Sequence, residues 1–195
     1  MRSGEVNRKT AETEIRLSIN LDGSGRSSVS TGVGFLDHML TLFAAHGRFD
    51  LEVSAEGDTW VDDHHTVEDV GIALGEAFVQ ALGDKKGICR YGHMILPMDE
   101  TLVLAAVDFS GRASCNLNLG LTARKVGTFD TDLVEEFWVA FVRNCPCGLH
   151  IRKLAGINTH HIIEGAFKSA GRSMRRAVAI DDAFAGEIPS TKGVL

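Results

Sequence analysis

Two segments of the chain share one pattern: His64-His65-Thr66-Val67-Glu68 and His160-His161-Ile162-Ile163-Glu164. Each reads His-His-x-x-Glu, and they lie 96 residues apart, close to half of the 195-residue chain. Imidazole nitrogens and carboxylate oxygens are ligands of divalent transition metals. On a helix, residues i and i+4 share a face, whereas residue i+1 is turned about 100° away. His64 with Glu68 and His160 with Glu164 are therefore chelating pairs, and His65 and His161 point elsewhere. If the two helices face each other about a pseudo-twofold axis, each odd histidine reaches the other pair's ion. One metal would then be held by His64, Glu68 and His161, the other by His160, Glu164 and His65. A single copy would read equally well as a polar helix start. Two copies holding four of the eight histidines favour a two-metal site.

The elements that must carry these residues follow from periodicity. Ile15, Leu17, Ile19 and Leu21 alternate with polar residues before an Asp22-Gly23 turn, which predicts a half-buried strand. An amphipathic helix is predicted from Phe35 to Ala45, a short strand through Leu51, Val53 and Ala55, and a helix from His64 to Ala81. Further on, strands are predicted over Gly92–Leu96, Thr101–Phe109 and Ala113–Leu119, then a helix from Thr131 to Asn144. A strand near Leu149–Lys153 and a long helix from His160 to about Val178 complete the pattern. The order helix, strand, His-His-x-x-Glu helix thus occurs twice, and we expect repeats over 1–90 and 91–195. At an offset of 98, Phe43 meets Phe141, Leu51 meets Leu149 and Val53 meets Ile151. The same offset sets His38 opposite Glu136, and both can ligate a divalent ion. The offset falls to 96 at the histidine pairs, which implies two fewer residues in the second connecting loop.

Composition narrows the class. Hydrophobic residues make up 44% and charged residues 24% of the chain, as in an ordinary soluble globule. A net charge of −6 gives no general attraction to nucleic acid or anionic membranes, though it leaves room for a local cationic pocket. No apolar run is long enough to span a bilayer, and no signal-peptide core opens the chain, so a cytoplasmic protein is expected. Cys89, Cys115, Cys145 and Cys147 lack zinc-ribbon or thioredoxin spacing and are read as free thiols. Gly32-Val33-Gly34 is too short a signal for a nucleotide site.

Five ordered motifs carry a resemblance. They are Gly34-Phe35-Leu36-Asp37-His38-Met39-Leu40, the segment from His64, Pro97-Met98-Asp99-Glu100, Asp108-Phe109-Ser110-Gly111-Arg112, and His160 to Lys168. Together they resemble the imidazoleglycerol-phosphate dehydratases, over about Arg8 to Lys192. The resemblance implies an α+β fold, an internally duplicated unit with two four-stranded sheets flanking a layer of helices. It implies a homo-oligomer of 24 subunits built from trimers, and two divalent ions per subunit, manganese being expected, in sites between subunits. One ion would take His38, His65, His160 and Glu164, the other His64, Glu68, His161 and the residue at 136. Here the chain departs from relatives with histidine at that last place; Glu136 still offers oxygen, in a harder shell.

The substrate implied is a small phosphorylated molecule, imidazole glycerol phosphate, dehydrated to imidazole acetol phosphate in histidine biosynthesis. Its phosphate contacts map onto Arg90, Arg112, Lys168, Ser190 and Lys192, and His46 lies in a substrate-binding segment. The proton to be removed is not activated by a carbonyl, so the dimetal site is expected to bind the ring as imidazolate and expel the neighbouring hydroxyl. Glu12 is the candidate acid/base, with Glu164 or a metal-bound water as alternatives. His93 and His150 match no ligand position. Two other classes share parts of this donor set: a ferritin-like metal store, which would use Glu-x-x-His in a long bundle, and a dimetal hydrolase. Every segment is already taken up by the repeat, so no fused phosphatase domain is expected.

Overall fold

Alternation of apolar and polar residues builds two sheets whose inner faces carry the core. The computed structural model describes residues 1–195 except Ala185 and Val194. In β1 (Ser3–Lys9), β2 (Thr13–Asn20), β3 (Ser27–Ser30) and β4 (Asp50–Gly57), the inward positions include Val6, Ile15, Leu17, Ile19, Leu51 and Val53, all buried. These strands form a sheet in the order β1-β2-β4-β3. A second sheet has β5 (Tyr91–Met98), β6 (Thr101–Asp108), β7 (Ser114–Asn118) and β10 (Gly148–Ala155) in the order β5-β6-β10-β7. The two orders are the same once the strands are matched in chain sequence, and so is the register. Ser3 pairs Asn20 as Tyr91 pairs Asp108, 88 residues on, and Asn20 pairs Asp50 as Asp108 pairs Gly148.

Four helices fill the space between the sheets: α1 (Gly34–Gly47), α2 (His64–Leu82), α3 (Leu133–Asn144) and α4 (Thr159–Ala177). The duplicated α+β unit expected from the sequence is therefore the fold. The spacing between repeats is 88 residues through the first three strands, 98 through α1 and β4, and 96 at α2. The extra ten residues lie between β7 and α3, where a small hairpin forms from β8 (Lys125–Val126) and β9 (Phe129–Asp130). That hairpin was not foreseen, nor were β1 and β3. β3 is an edge strand reading Ser-Ser-Val-Ser, largely exposed and without an apolar stripe to announce it.

Helix pairing is set by small residues. A Cβ on Gly71 would lie 2.6 Å from the Phe137 carbonyl oxygen, and one on Gly75 2.6 Å from that of Phe141, so α2 runs parallel to and in close contact with α3. The second repeat does the same: a Cβ on Gly171 would lie 2.6 Å from the Phe43 carbonyl oxygen, and α4 packs on α1. At the centre, the fully buried Trp138 ring meets Phe43, Phe137, Phe141 and Phe167 at centroid distances of 4.9–6.1 Å. Each such ring contributes roughly 1.5–3 kcal/mol through burial.

This pairing corrects one expectation. The two His-His-x-x-Glu helices do not face each other within the chain; each packs against the other repeat's preceding helix. The glycine stripes choose those neighbours, and no reading of the histidine spacing could.

Candidate active site and metal centre

The first turn of α4 is capped by Asn158, whose side-chain oxygen accepts from the backbone N–H of His160 at 3.0 Å and of His161 at 3.3 Å. The cap fixes where the helix begins and so aims both imidazoles. In the first repeat Asp62, 96 residues earlier, accepts from the His64 N–H at 2.8 Å. Helix α1 is anchored by Asp37, whose carboxylate accepts from the Thr31 N–H at 2.9 Å and the Thr31 hydroxyl at 2.5 Å. His38 follows directly.

Packing of α1 on α4 brings three donors together. His160 Nε2 lies 3.1 Å and His38 Nε2 3.4 Å from the same oxygen, Oε2 of the buried Glu164. Ligand atoms of these three residues lie within 4.8 Å of one another, the only such group among the described residues. The other Glu164 oxygen is paired with the Lys168 ammonium one turn on. Burial pushes the Glu164 carboxyl up, but Lys168, His160 and His38 outweigh it and hold the group below its ordinary value. Two imidazole nitrogens and an anionic oxygen converging at a half-open surface suit a divalent transition metal. Phe35 stands edge-on to the His160 ring at 5.2 Å and is itself packed on Phe129 of the β8–β9 hairpin at 5.1 Å. The inserted ten residues therefore buttress this cluster.

The remaining predicted ligands lie outside this cluster. His64 Nε2 is 3.9 Å from Glu68 Oε2 on the partly exposed face of the first turn of α2. Glu136 stands half-buried at the start of α3, one turn before Ala140, which faces Gly71 of α2. It holds the position on α3 that His38 holds on α1. His65 turns away, its Nδ1 3.0 Å from Asp58 and 3.8 Å from Glu12. His161 turns away likewise, its Nδ1 2.9 Å from Glu100. Hydrogen bonds donated to Asp58 and to Glu100 raise the pKa of His65 and His161, respectively, above the ordinary imidazole value.

Glu12 sits at the tip of the β1–β2 turn. Thr10 Oγ1 accepts from its N–H at 3.1 Å, and its carbonyl accepts from the Asp58 N–H at 3.1 Å. Asp69, buried on α2, holds the same turn by accepting from the Thr13 hydroxyl at 2.5 Å and from Arg8 Nε at 3.1 Å. The Glu12 carboxylate makes no hydrogen bond; it stands 3.8 Å from His65 Nδ1, and its side chain is 54% exposed.

The cations fall into two groups. Lys168 and His46 lie along the α1–α4 groove beyond Glu164. Burial and then the charges of Lys168 and Arg172 hold the His46 imidazole below its usual pKa. Arg90 and Arg112 lie instead at the second sheet. Arg90 donates to Asp108 at 2.7 Å and to the Pro189 carbonyl at 3.0 Å, which ties down the tail just before Ser190. Ser190 closes a turn in which Lys192 N–H donates to its hydroxyl at 3.2 Å. His93 and His150 flank Ala106 on the exposed face of the second sheet.

Three polar residues of this site have no role assigned from sequence, although Glu100 belongs to one of the five motifs. Arg172 continues the four-residue stripe His160, Glu164, Lys168, and that spacing could have found it. Asp58 and Glu100 are brought to the odd histidines by loops, and only the fold places them there.

Comparison with known proteins agrees with this geometry. The family model described as imidazoleglycerol-phosphate dehydratase matches residues 31–174. A protein of that name from Desulforamulus reducens is 61% identical over 194 residues, covering 100% of this chain and 98% of its own. One from Azorhizobium caulinodans is 56% identical over 195 residues, covering 100% and 99%. The crystal structure of the Staphylococcus aureus N315 dehydratase superposes with a TM-score of 0.83 at 44% identity, covering 92% of this chain and 99% of its own. That of Pyrococcus furiosus, in complex with (S)-C348, gives 0.85 at 36% identity, covering 97% and 100%. The chain belongs to the imidazoleglycerol-phosphate dehydratase family, lyases of histidine biosynthesis.

Proposed function

We propose that the chain dehydrates imidazole glycerol phosphate to imidazole acetol phosphate at a site holding two divalent ions per subunit. The convergence of His38, His160 and Glu164 is the observation that carries this reading. One ion takes His38, His160, Glu164 and His65; the other takes His64, Glu68, Glu136 and His161. Within a chain the odd histidines stand apart from these sets, so His65 and His161 come from neighbouring copies of the homo-oligomer. Exposed apolar residues beside both histidine pairs support such contacts: Trp60 is 84% exposed shortly before His64, and Ile157 is 85% exposed shortly before His160. A 24-subunit shell of trimers, manganese as the metal and a cytoplasmic location follow the family resemblance. No helix is long and apolar enough to cross a membrane, in keeping with that location.

The ions, when bound, supply Lewis acidity that favours the imidazolate form of the substrate ring and departure of the adjacent hydroxyl. The chain's own residues do the rest. Lys168 in the α1–α4 groove of one copy, with Arg90, Arg112, Ser190 and Lys192 of a neighbouring copy, grips the phosphate, the arginines through planar forks and the lysines as point charges. His46 lines the same groove. Glu12 takes the proton from the side-chain carbon and returns it on tautomerisation, and its exposure on a clamped turn suits that work. Following enol-ketone formation separately from phosphate release, with and without added manganese, tests the reading. Phosphate release without ketone would point to a hydrolase, and metal uptake without turnover to a store.

Two predictions bear on particular residues. Truncation before Ser190 removes two phosphate contacts, each worth roughly 1.5–3 kcal/mol. KM should rise by about two orders of magnitude or more with metal content unchanged, and unaltered kinetics would show the tail plays no part. At Glu136, alanine should weaken the His64–Glu68 ion selectively, whereas histidine should retain binding and shift preference toward softer metals. Glu135, about 100° around the helix, is the control. Equal metal loss from Glu135→Ala and Glu136→Ala would remove Glu136 from the ligand set.

A further inference from the structure

The two odd histidines are each held by a carboxylate on Nδ1, but the repeats supply that carboxylate from different places. In the first repeat it is Asp58, directly after β4, with oxygens 3.0 and 3.2 Å from His65 Nδ1. Ninety-eight residues on, directly after β10, the corresponding residue is Gly156. Gly156 has φ +113°, and a Cβ there would meet Thr101 Oγ1 at 2.4 Å, so no carboxylate can stand in Asp58's place. The second repeat uses Glu100 instead, 2.9 Å from His161 Nδ1. Glu100 is itself fixed: it accepts from the Asn158 N–H at 3.0 Å and from the Thr101 hydroxyl at 2.9 Å. Glu100 is also the repeat counterpart of Glu12, since the matching registers of β1–β2 and β5–β6 set the two turn glutamates 88 residues apart. The two equivalent glutamates therefore have different work. Glu100 is bound to its histidine, whereas Glu12 stands 3.8 Å from His65 with Asp58 between the imidazole and any need of it.

We propose that Asp58 and Glu100 are positioning residues that hold His65 and His161 as Nδ1–H tautomers with the Nε2 lone pair offered outward, and that Asp58 thereby releases Glu12 for chemistry. A histidine that donates Nδ1–H to a carboxylate has its tautomer and ring orientation fixed and its other nitrogen made a better ligand. Nε2 of both rings has no hydrogen-bond partner among the described residues. The inference rests on the two-metal reading above, and deepens it by stating why one member of a duplicated glutamate pair is free and the other is not.

The test uses the full chain, 15N-labelled at histidine, stripped of metal and observed above the imidazole titration range, followed by titration with manganese alone. In the unaltered protein His65 and His161 should both be Nδ1–H tautomers. Glu100→Ala should move His161 toward the Nε2–H form and weaken one manganese site about 10–100-fold, the range typical of such outer partners. Glu100→Gln, whose amide oxygen still accepts, should keep the tautomer and most of the affinity; this separates positioning from misfolding. Asp58→Ala should leave Glu12 as the acceptor of the His65 Nδ1–H hydrogen bond, with the proton remaining on Nδ1. Glu12→Ala should then weaken manganese further in the Asp58→Ala background while leaving affinity intact alone. An Nε2–H tautomer in the unaltered protein, or affinity within twofold in Glu100→Ala, overturns the proposal, as does additivity of the Asp58 and Glu12 variants. His161→Ala separates the two levels: if it keeps both ions the metal reading fails, and if it loses one while Glu100→Ala does not, only the positioning role fails.

Discussion

Replacement of Glu164 by alanine is expected to lower kcat/KM by about three to four orders of magnitude and to remove one ion per subunit. Its Oε2 is the point on which His38 and His160 converge, at 3.4 and 3.1 Å, and its other oxygen faces Lys168. Loss of the carboxylate removes one donor and leaves the two imidazoles without the anion that draws them together. A Lewis-acid metal contributes several kcal/mol to transition-state stabilisation, and each ~1.4 kcal/mol is tenfold in rate. Elemental analysis and steady-state kinetics on the same preparation check both parts. Full metal content with full activity would remove Glu164 from the site. The metal-free protein offers an independent readout. Because the folded-state pKa of Glu164 is depressed, its stabilisation is present above the unfolded value, near 4.5, and is lost as pH falls through the folded value. Glu164→Ala should therefore flatten the acid limb of the stability profile while leaving the neutral-pH fold intact.

Glu12→Gln is the second large effect. Amide replacement keeps the size of the side chain and the clamped turn but cannot take a proton. General acid/base catalysis contributes about 10²–10⁴, so kcat should fall by that factor. KM and metal content should change little, since Glu12 makes no hydrogen bond to a proposed ligand. A variant that retains more than about a tenth of the rate would move the proton transfer to Glu164 or to metal-bound water. The contrast with Glu100, bonded to His161 at 2.9 Å, makes Glu100→Gln an informative companion: its effect should fall on metal affinity before turnover.

Much of this site could be read in the chain because local rules govern it. The i, i+4 spacing sets His160, Glu164 and Lys168 on one stripe of α4, and the structure places all three on the α1–α4 groove. The offset that aligns Phe43 with Phe141 also aligned His38 with Glu136, and α1 and α3 bear them at matching positions. Alternation predicted β2, β4, β6 and β10 because their inner faces are continuous apolar rows. β1 was missed because its inward positions begin with Gly4, small because Ala77 leaves no space for a Cβ.

By itself, then, the sequence determined the duplicated fold and the two i, i+4 His–Glu stripes, which depend on short-range periodicity and on a repeat visible by alignment, while five ordered motifs carried the family. Tertiary structure alone decided which helices meet. Gly71, Gly75 and Gly171 admit α3 and α1 as neighbours, so α2 and α4 never face each other and each odd histidine is turned to a carboxylate from a loop. The physical reason is that a side chain's direction about its own helix is local, whereas the partner it meets is fixed by close packing between elements distant in sequence.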